Sequence, residues 1–146
     1  MHIRQLVAVI AVGALAPSAV SAAPSGWIAA KSRKGHCQAM VPGNWKPGFA
    51  GIGMEAPDGK ANVLVSGKPG SIAETKAMLP KIFKVSKTYE DSGSRYWVEY
   101  TGALTAKRHW YVVTPATDGI CTAVMDFGSG LSESDAKTIA TSLSKY

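Results

Sequence analysis

S-R-Y-W-V-E-Y-T-G-A-L-T-A-K-R-H-W-Y-V-V-T, residues 94–114, holds five of the nine tryptophan and tyrosine residues of the chain. Aromatic and β-branched residues flank G-A-L-T-A, which predicts two antiparallel strands at residues 95–102 and 107–114. If the hairpin centres on Leu104, both of its faces are apolar. A sheet that is apolar on both faces must be covered on both faces.

Side-chain alternation along the two strands assigns the aromatic residues to faces. One face is expected to carry Tyr96, Val98, Tyr100, Trp110 and Val112, and the other Trp97, Tyr111 and Val113. We expect these rings to be core residues rather than a platform for a ligand. In the same register Glu99 faces His109, either as a polar surface pair or as an acid-base dyad. A slip of one residue would place these two on opposite faces.

The rest of the chain is punctuated by glycine and proline between short apolar stretches. A-P-D-G-K, residues 56–60, predicts a turn between two strands. The further strands are expected at residues 26–31, 36–42, 49–56, 61–66, 85–90 and 120–127.

Two helices are predicted. S-I-A-E begins the first at Ser71 with a capping box, and Ile72, Leu79, Ile82 and Phe83 share its apolar face. Pro80 should kink this helix or divide it.

The second helix follows a cap at Ser132. Its apolar positions are Ala136, Ile139, Ala140 and Leu143. With one helix for each face of the sheet, we predict an α+β fold: an antiparallel sheet with helices packed on both faces, an α/β/α sandwich. Residues 24–146 should form one compact domain.

Residues 1–23 have the pattern of a secretory signal peptide. Arg4 precedes an apolar run at residues 6–16, and small residues then allow cleavage after Ala22 or Ala23. The apolar run is shorter than the roughly 20 residues of a membrane-spanning helix, so no membrane span is predicted. The expected location is the periplasm, with the extracellular space as the alternative.

Cys37 and Cys121 are the two cysteines of the chain. In an exported protein they are expected to form a disulfide bond. The alternative is a catalytic thiol, but H-C-Q has no C-x-x-C partner.

The chain carries a formal net charge of +6, and loss of Arg4 with the signal peptide leaves 15 basic against 10 acidic residues. This charge favours acidic partners: anionic lipid, polysaccharide or an acidic envelope protein, but not nucleic acid in that compartment. The alternative is an ordinary solvated, mildly basic surface without a binding role. The predicted binding surface is the rim of the 94–114 hairpin, formed by Arg95, Trp97, Glu99, Lys107, Arg108, His109 and Trp110.

No catalytic, metal or nucleotide motif stands out. His36 and His109 are isolated in the sequence, so a metal site with Glu99 and Asp126 would need tertiary convergence. G-F-A-G-I-G lacks the lysine of a phosphate loop, and S-x-x-K at residues 142–145 lacks the companion motifs of penicillin-recognising enzymes. Neither a cofactor nor a metal is predicted.

The order of pieces resembles the PsbP-like family of small exported bacterial proteins. V-P-G-N-W, A-P-D-G-K, a helix, the strands R-Y-W-V-E-Y and H-W-Y-V-V and a closing helix carry the resemblance. It implies an α/β/α sandwich and a binding, assembly or accessory role without a common catalytic centre.

Three functions follow as hypotheses. The first is a non-enzymatic accessory or binding protein for a protein or anionic partner. The second is an inhibitor or immunity protein of a secreted enzyme. The third is a hydrolase that uses Glu99 and His109 with Asp126 or Lys107. The sequence does not indicate the oligomeric state.

Overall fold

A computed structural model describes residues 23–102 and 107–146. Apart from Ala23, the predicted signal peptide lies outside the described residues. So does Leu104, the predicted centre of the hairpin.

The described chain forms two helices and ten strands, and the strands build two sheets. The strands are β1 (Ile28–Lys31), β2 (Cys37–Val41), β3 (Lys46–Pro47), β4 (Met54–Glu55), β5 (Asn62–Lys68), β6 (Lys84–Asp91), β7 (Tyr96–Thr101), β8 (Arg108–Ala116), β9 (Gly119–Asp126) and β10 (Ser144–Lys145), and the helices are α1 (Ile72–Ile82) and α2 (Glu133–Ser142). The larger sheet has the order β3-β4-β5-β9-β8-β7-β6, and the smaller has the order β1-β2-β10. All described strand pairs are antiparallel.

The predicted α/β/α sandwich is wrong, because the chain builds two sheets instead of one sheet between helical layers. Strands β1 and β2 do not join the central sheet. Cys37, Ala39 and Val41 on β2 are fully buried in the core shared with the larger sheet, whereas Gln38 and Met40 between them are only partly buried. Much of the cover on this face therefore comes from a second sheet, with α2 beside it.

The other face of the larger sheet is covered by α1. Leu79 of α1 is buried against a cluster that includes Tyr96, Val98 and Tyr100 of β7. Each face of the hairpin strands thus has its own apolar core, and the prediction that both faces are apolar is confirmed.

Helix α1 begins as predicted but continues through its proline. Ser71 Oγ accepts from the Glu74 N–H, and Glu74 Oε2 accepts from the Ser71 N–H at 3.0 Å, so the capping box is confirmed. Pro80 does not divide the helix. It lies in the last turn, and the helix ends two residues later at Ile82. The proline lacks the N–H that would donate to the carbonyl four residues before it, so the helix loses one hydrogen bond near its end. Ile82 is 52% exposed, so the prediction that it shares the buried face is wrong.

The second helix and the A-P-D-G-K turn are confirmed. Ser132 Oγ accepts from the Asp135 N–H, and the predicted apolar positions of α2 are buried. The turn closes with the Ala56 N–H donating to the Ala61 carbonyl at 2.9 Å. The strand before it is shorter than predicted, because Phe49–Gly51 form a 3-10 turn.

The predicted disulfide between Cys37 and Cys121 is confirmed. It joins β2 of the smaller sheet to β9 at the middle of the larger sheet, and both cysteines are fully buried. Within the described residues no helix is long and apolar enough to cross a membrane.

Candidate functional site

The hairpin of β7 and β8 is shifted by one residue from the predicted register. Tyr100 pairs with His109, and Glu99 pairs with Trp110. Paired residues of antiparallel strands share a face, so Glu99 and His109 lie on opposite faces of the sheet. The predicted cross-strand pair of Glu99 and His109 is therefore wrong. The five aromatic rings of the hairpin are buried, as expected for core residues.

Arg108 is held by acidic groups of the protein itself. Its Nε donates to Glu99, and its Nη2 donates to Glu133 at 3.1 Å and to the Tyr89 hydroxyl at 3.2 Å. Partial burial opposes the charge, but these three hydrogen bonds outweigh it and raise the pKa of Arg108. The Arg108 guanidinium in turn lowers the pKa of Glu133. Trp110 Nε1 also donates to Glu99, at 2.9 Å.

Arg95 is buried rather than displayed on a rim. Its side chain is 9% exposed, with Nη1 donating to Glu90 at 3.2 Å and Nη2 donating to the Thr141 carbonyl at 3.3 Å. Both arginines of the predicted binding surface therefore have their charges balanced within the fold. Lys107, at the end of the described part of the hairpin, is exposed.

His109 contacts a different carboxylate from the one predicted. Its Nδ1 is hydrogen-bonded to Asp126, which also accepts from Asn62 Nδ2 at 3.3 Å. The Tyr100 ring stacks on the His109 ring with a centroid distance of 5.1 Å. Burial, followed by the nearby charge of Asp126 and by Tyr111, raises the pKa of Tyr100 to about 12.

Because the pKa of Tyr100 is raised in the folded protein, we expect the protein to lose stability in alkali. Between pH 10 and pH 12 the unfolded chain loses the phenol proton while the folded protein keeps it, so up to about 2–3 kcal/mol of stability disappears as the pH rises through this window. In Tyr100→Phe this part of the decline should be absent in urea unfolding curves recorded from pH 9 to pH 12. Tyr146→Phe, at a half-exposed tyrosine, is the control and should decline like the parent protein. An equal decline in Tyr100→Phe would contradict the assignment.

A groove of about 420 Å³ lies between the smaller sheet and the edge of the larger one. Ala30 and Val65 are buried in its floor, while Ile52 and Leu64 are 56% and 41% exposed. The volume falls within the range of about 300–1,000 Å³ that is usual for ligand pockets. Clustered apolar side chains at a surface are typical of binding sites.

Three basic residues line this groove: Lys31 at the end of β1, and Arg33 and Lys34 in the β1–β2 connection. Arg33 extends to the 3-10 turn on the other side, where its Nη2 donates to the Ala50 carbonyl at 2.9 Å. The lining of the groove thus combines buried apolar and cationic side chains.

A second cavity of about 290 Å³ adjoins the groove, and Lys34 and Gly67 line both. Lys68, Lys145 and His36 line its walls, together with the acidic residue Asp118. The backbones approach closely here: a Cβ on Gly35 would lie 2.6 Å from the Gly67 Cα, so only glycine fits.

We call the cations around the two cavities the basic face: Lys31, Arg33, Lys34, Lys68 and Lys145. In the part of the chain that the structure describes, none of these five forms an ion pair within 4.0 Å. Among residues 23–102 and 107–146, Asp118 is the one acidic side chain that lines either cavity. Lys31 and Lys68 have other contacts, with the Tyr146 ring and the Tyr111 hydroxyl.

Sequence reasoning missed the basic face because its residues come from three separate segments of the chain. One local signal was present: K-S-R-K-G at residues 31–35 places three cations within four positions. Lys68 and Lys145 join them only through the packing of β5 and β10. Of His36, His109, Glu99 and Asp126, only His109 and Asp126 come together, and residues 23–102 and 107–146 contain no cluster of three or more His, Cys, Asp and Glu side chains that could hold a metal ion.

In comparisons with known proteins, no family model and no curated protein matches this chain. The resemblance to the PsbP-like family therefore stays a prediction.

Proposed function

We propose that the protein is a non-enzymatic binding protein that engages an anionic partner through its basic face. The observation that carries the proposal is the arrangement of five cations and one acid around two adjoining cavities, one of which has an apolar floor. The proposed contact surface is therefore the basic face and not the rim of the hairpin. There, the two arginines already pair with acidic residues of the protein.

Charge at this face favours an anionic partner in two ways. Cations grouped around a concave surface raise the local concentration of anions and speed their association. Because the five cations have no carboxylate partner among the described residues, an incoming anion does not have to displace one.

The apolar floor supports a partner that carries more than charge. Ile52 and Leu64 are exposed in the groove, and burying them against a ligand would add about 25 cal/mol for each Å² of apolar surface removed from water. An anionic partner with apolar groups beside its charge matches both properties.

The hydrolase hypothesis requires Glu99 and His109 to act together. Glu99 is engaged by Arg108 and Trp110 and lies on the opposite face of the sheet from His109, which favours a binding role over that mechanism. We place the protein in the periplasm, in accord with the predicted signal peptide and with the disulfide, a bond common in oxidising compartments.

Charge reversal tests the proposal. We expect Arg33→Glu combined with Lys34→Glu to weaken retention of anionic envelope components on the immobilised protein by at least about tenfold at low salt, because two attractive contacts become repulsive. The measurement is quantitative capture from an envelope extract at low and high salt.

The matched control is Lys81→Glu combined with Lys84→Glu, which changes the net charge by the same amount at exposed positions near the end of α1. If the two double variants lose retention equally, net charge rather than the basic face determines binding, and the proposal is wrong.

A further inference from the structure

Strand β5 has an edge that its neighbour covers only in part. β4 pairs with Asn62 and Val63, and the chain before β4 leaves the sheet through the 3-10 turn at Phe49–Gly51. On this side, residues 64–68 of β5 have no strand partner within residues 23–102 and 107–146. Four of these, from Leu64 to Gly67, line the groove.

The pairing pattern determines which backbone groups face this edge. The Ala56 N–H donates to the Ala61 carbonyl, so this is a hydrogen-bonded pair, and Val63 opposite Met54 is the next one along the antiparallel ladder. Backbone groups two residues apart in a strand point the same way. The N–H and C=O of Val65 therefore point away from β9, towards the position that β4 does not reach.

Val65 is 6% exposed, and no hydrogen bond from its N–H or to its C=O within the described chain completes the ladder on this side. A backbone donor and acceptor that are poorly exposed and without a protein partner favour a ligand that supplies the matching groups. An extended peptide supplies both at the correct spacing, whereas an alkyl chain supplies neither.

The surroundings specify the kind of peptide. Leu64 and Ile52 offer apolar contacts, and Lys31, Arg33 and Lys34 line the same groove. Side chains of an added strand alternate between its two faces, so a segment that alternates apolar and acidic residues can use both features.

We propose that the groove binds an extended acidic segment of a partner protein, which adds as a strand to the free edge of β5 and hydrogen-bonds with Val65. This inference rests on the proposed function and specifies its partner. Main-chain pairing supplies affinity in this mode of recognition, and the basic residues select for acidic sequences.

The test uses a synthetic ten-residue peptide of alternating valine and glutamate and the disulfide-bonded protein. A second peptide of the same sequence carries N-methyl groups on two adjacent central residues, which blocks pairing along both edges while side chains and charge are kept. Calorimetry gives the two affinities, and amide hydrogen exchange followed by NMR reports on Val65.

We expect the N-methylated peptide to bind at least about fivefold more weakly, the effect of losing one or two net hydrogen bonds. The Val65 N–H should exchange readily in the free protein and become protected when the unmodified peptide is bound. Equal affinity of the two peptides, or a Val65 amide that stays unprotected in the complex, would overturn strand addition and leave anion binding intact.

Two further measurements distinguish a failure of this inference from a failure of the proposed function. Dodecyl phosphate is an anionic amphiphile without a peptide backbone. If it binds and the peptide does not, the occupant is not a protein segment, but an anionic partner remains. If neither binds and charge reversal of Arg33 and Lys34 also leaves capture unchanged, both proposals fail together.

Discussion

Replacing Cys37 and Cys121 together with alanine should destabilise the protein by about 4–5 kcal/mol, and this is among the largest effects we expect from any pair of substitutions. The bond closes a loop with a sequence separation of 84 residues, so it removes a large conformational entropy from the unfolded chain. The total stability of a domain of this size is of the order of 5–15 kcal/mol. The variant should therefore be close to unfolding in mild denaturant.

Urea unfolding followed by tryptophan fluorescence checks this expectation. The parent protein with added reductant is the control: reduction should lower its midpoint towards that of the double variant, and the same reductant should leave the double variant unchanged. A midpoint for the double variant that matches the oxidised parent would show that the bond contributes little to stability.

Trp110→Ala should cost about 3–5 kcal/mol, the range for a large aromatic residue removed from a packed core. Trp110 is fully buried, and its ring centroid lies 4.7 Å from that of Tyr89 and 4.9 Å from those of Trp97 and Phe127. The substitution also removes the hydrogen bond from Nε1 to Glu99. The cavity left behind would lie in the middle of the aromatic cluster.

Phe49→Ala is the control for this measurement. Phe49 is 92% exposed, so its loss should change the free energy of unfolding by less than about 0.5 kcal/mol. Trp110→Phe should fall between the two, because it retains part of the ring and loses the hydrogen bond. If Trp110→Ala and Phe49→Ala have similar effects in urea unfolding, the aromatic cluster is not a core.

Local signals in the sequence were sufficient for most of the elements. The capping box at Ser71 and the cap at Ser132 determine where the helices begin, because each satisfies backbone N–H groups within a few residues. Alternation and turn residues likewise placed β5 to β9 of the larger sheet to within a few positions, but β3 was not predicted and β4 begins at Met54, five residues later than expected. These features depend on neighbours in the chain, so no knowledge of the tertiary fold was needed.

The register of the β7–β8 hairpin was less predictable. The two strands were placed correctly, but their pairing is shifted by one residue from that of a hairpin centred on Leu104. Glu99 therefore pairs with Trp110 and not with His109. The actual register puts Trp97 and Trp110 on one face and Tyr100 and Tyr111 on the other. Both registers leave both faces apolar, so hydrophobic pattern could not choose between them.

The candidate site could not be derived from the sequence for a related reason. Arg95 and Arg108 seemed available for binding because their acidic partners, Glu90, Glu99 and Glu133, lie on other elements or in an unknown register. The cations of the basic face are brought together because β1 and β10 both pair with β2, which packs against β5. A charge partner that is distant in the sequence cannot be identified from local composition.

By itself, the sequence determined the helix caps, the positions of the principal strands, the disulfide between its two cysteines and the apolar character of both hairpin faces. Only the tertiary structure decided that β1 and β2 form a second sheet, which residues pair across the hairpin and which charges remain without a partner. The physical reason is range: caps, turns and periodicity act over a few residues. Sheet membership and charge pairing depend on segments that meet only after the chain has folded.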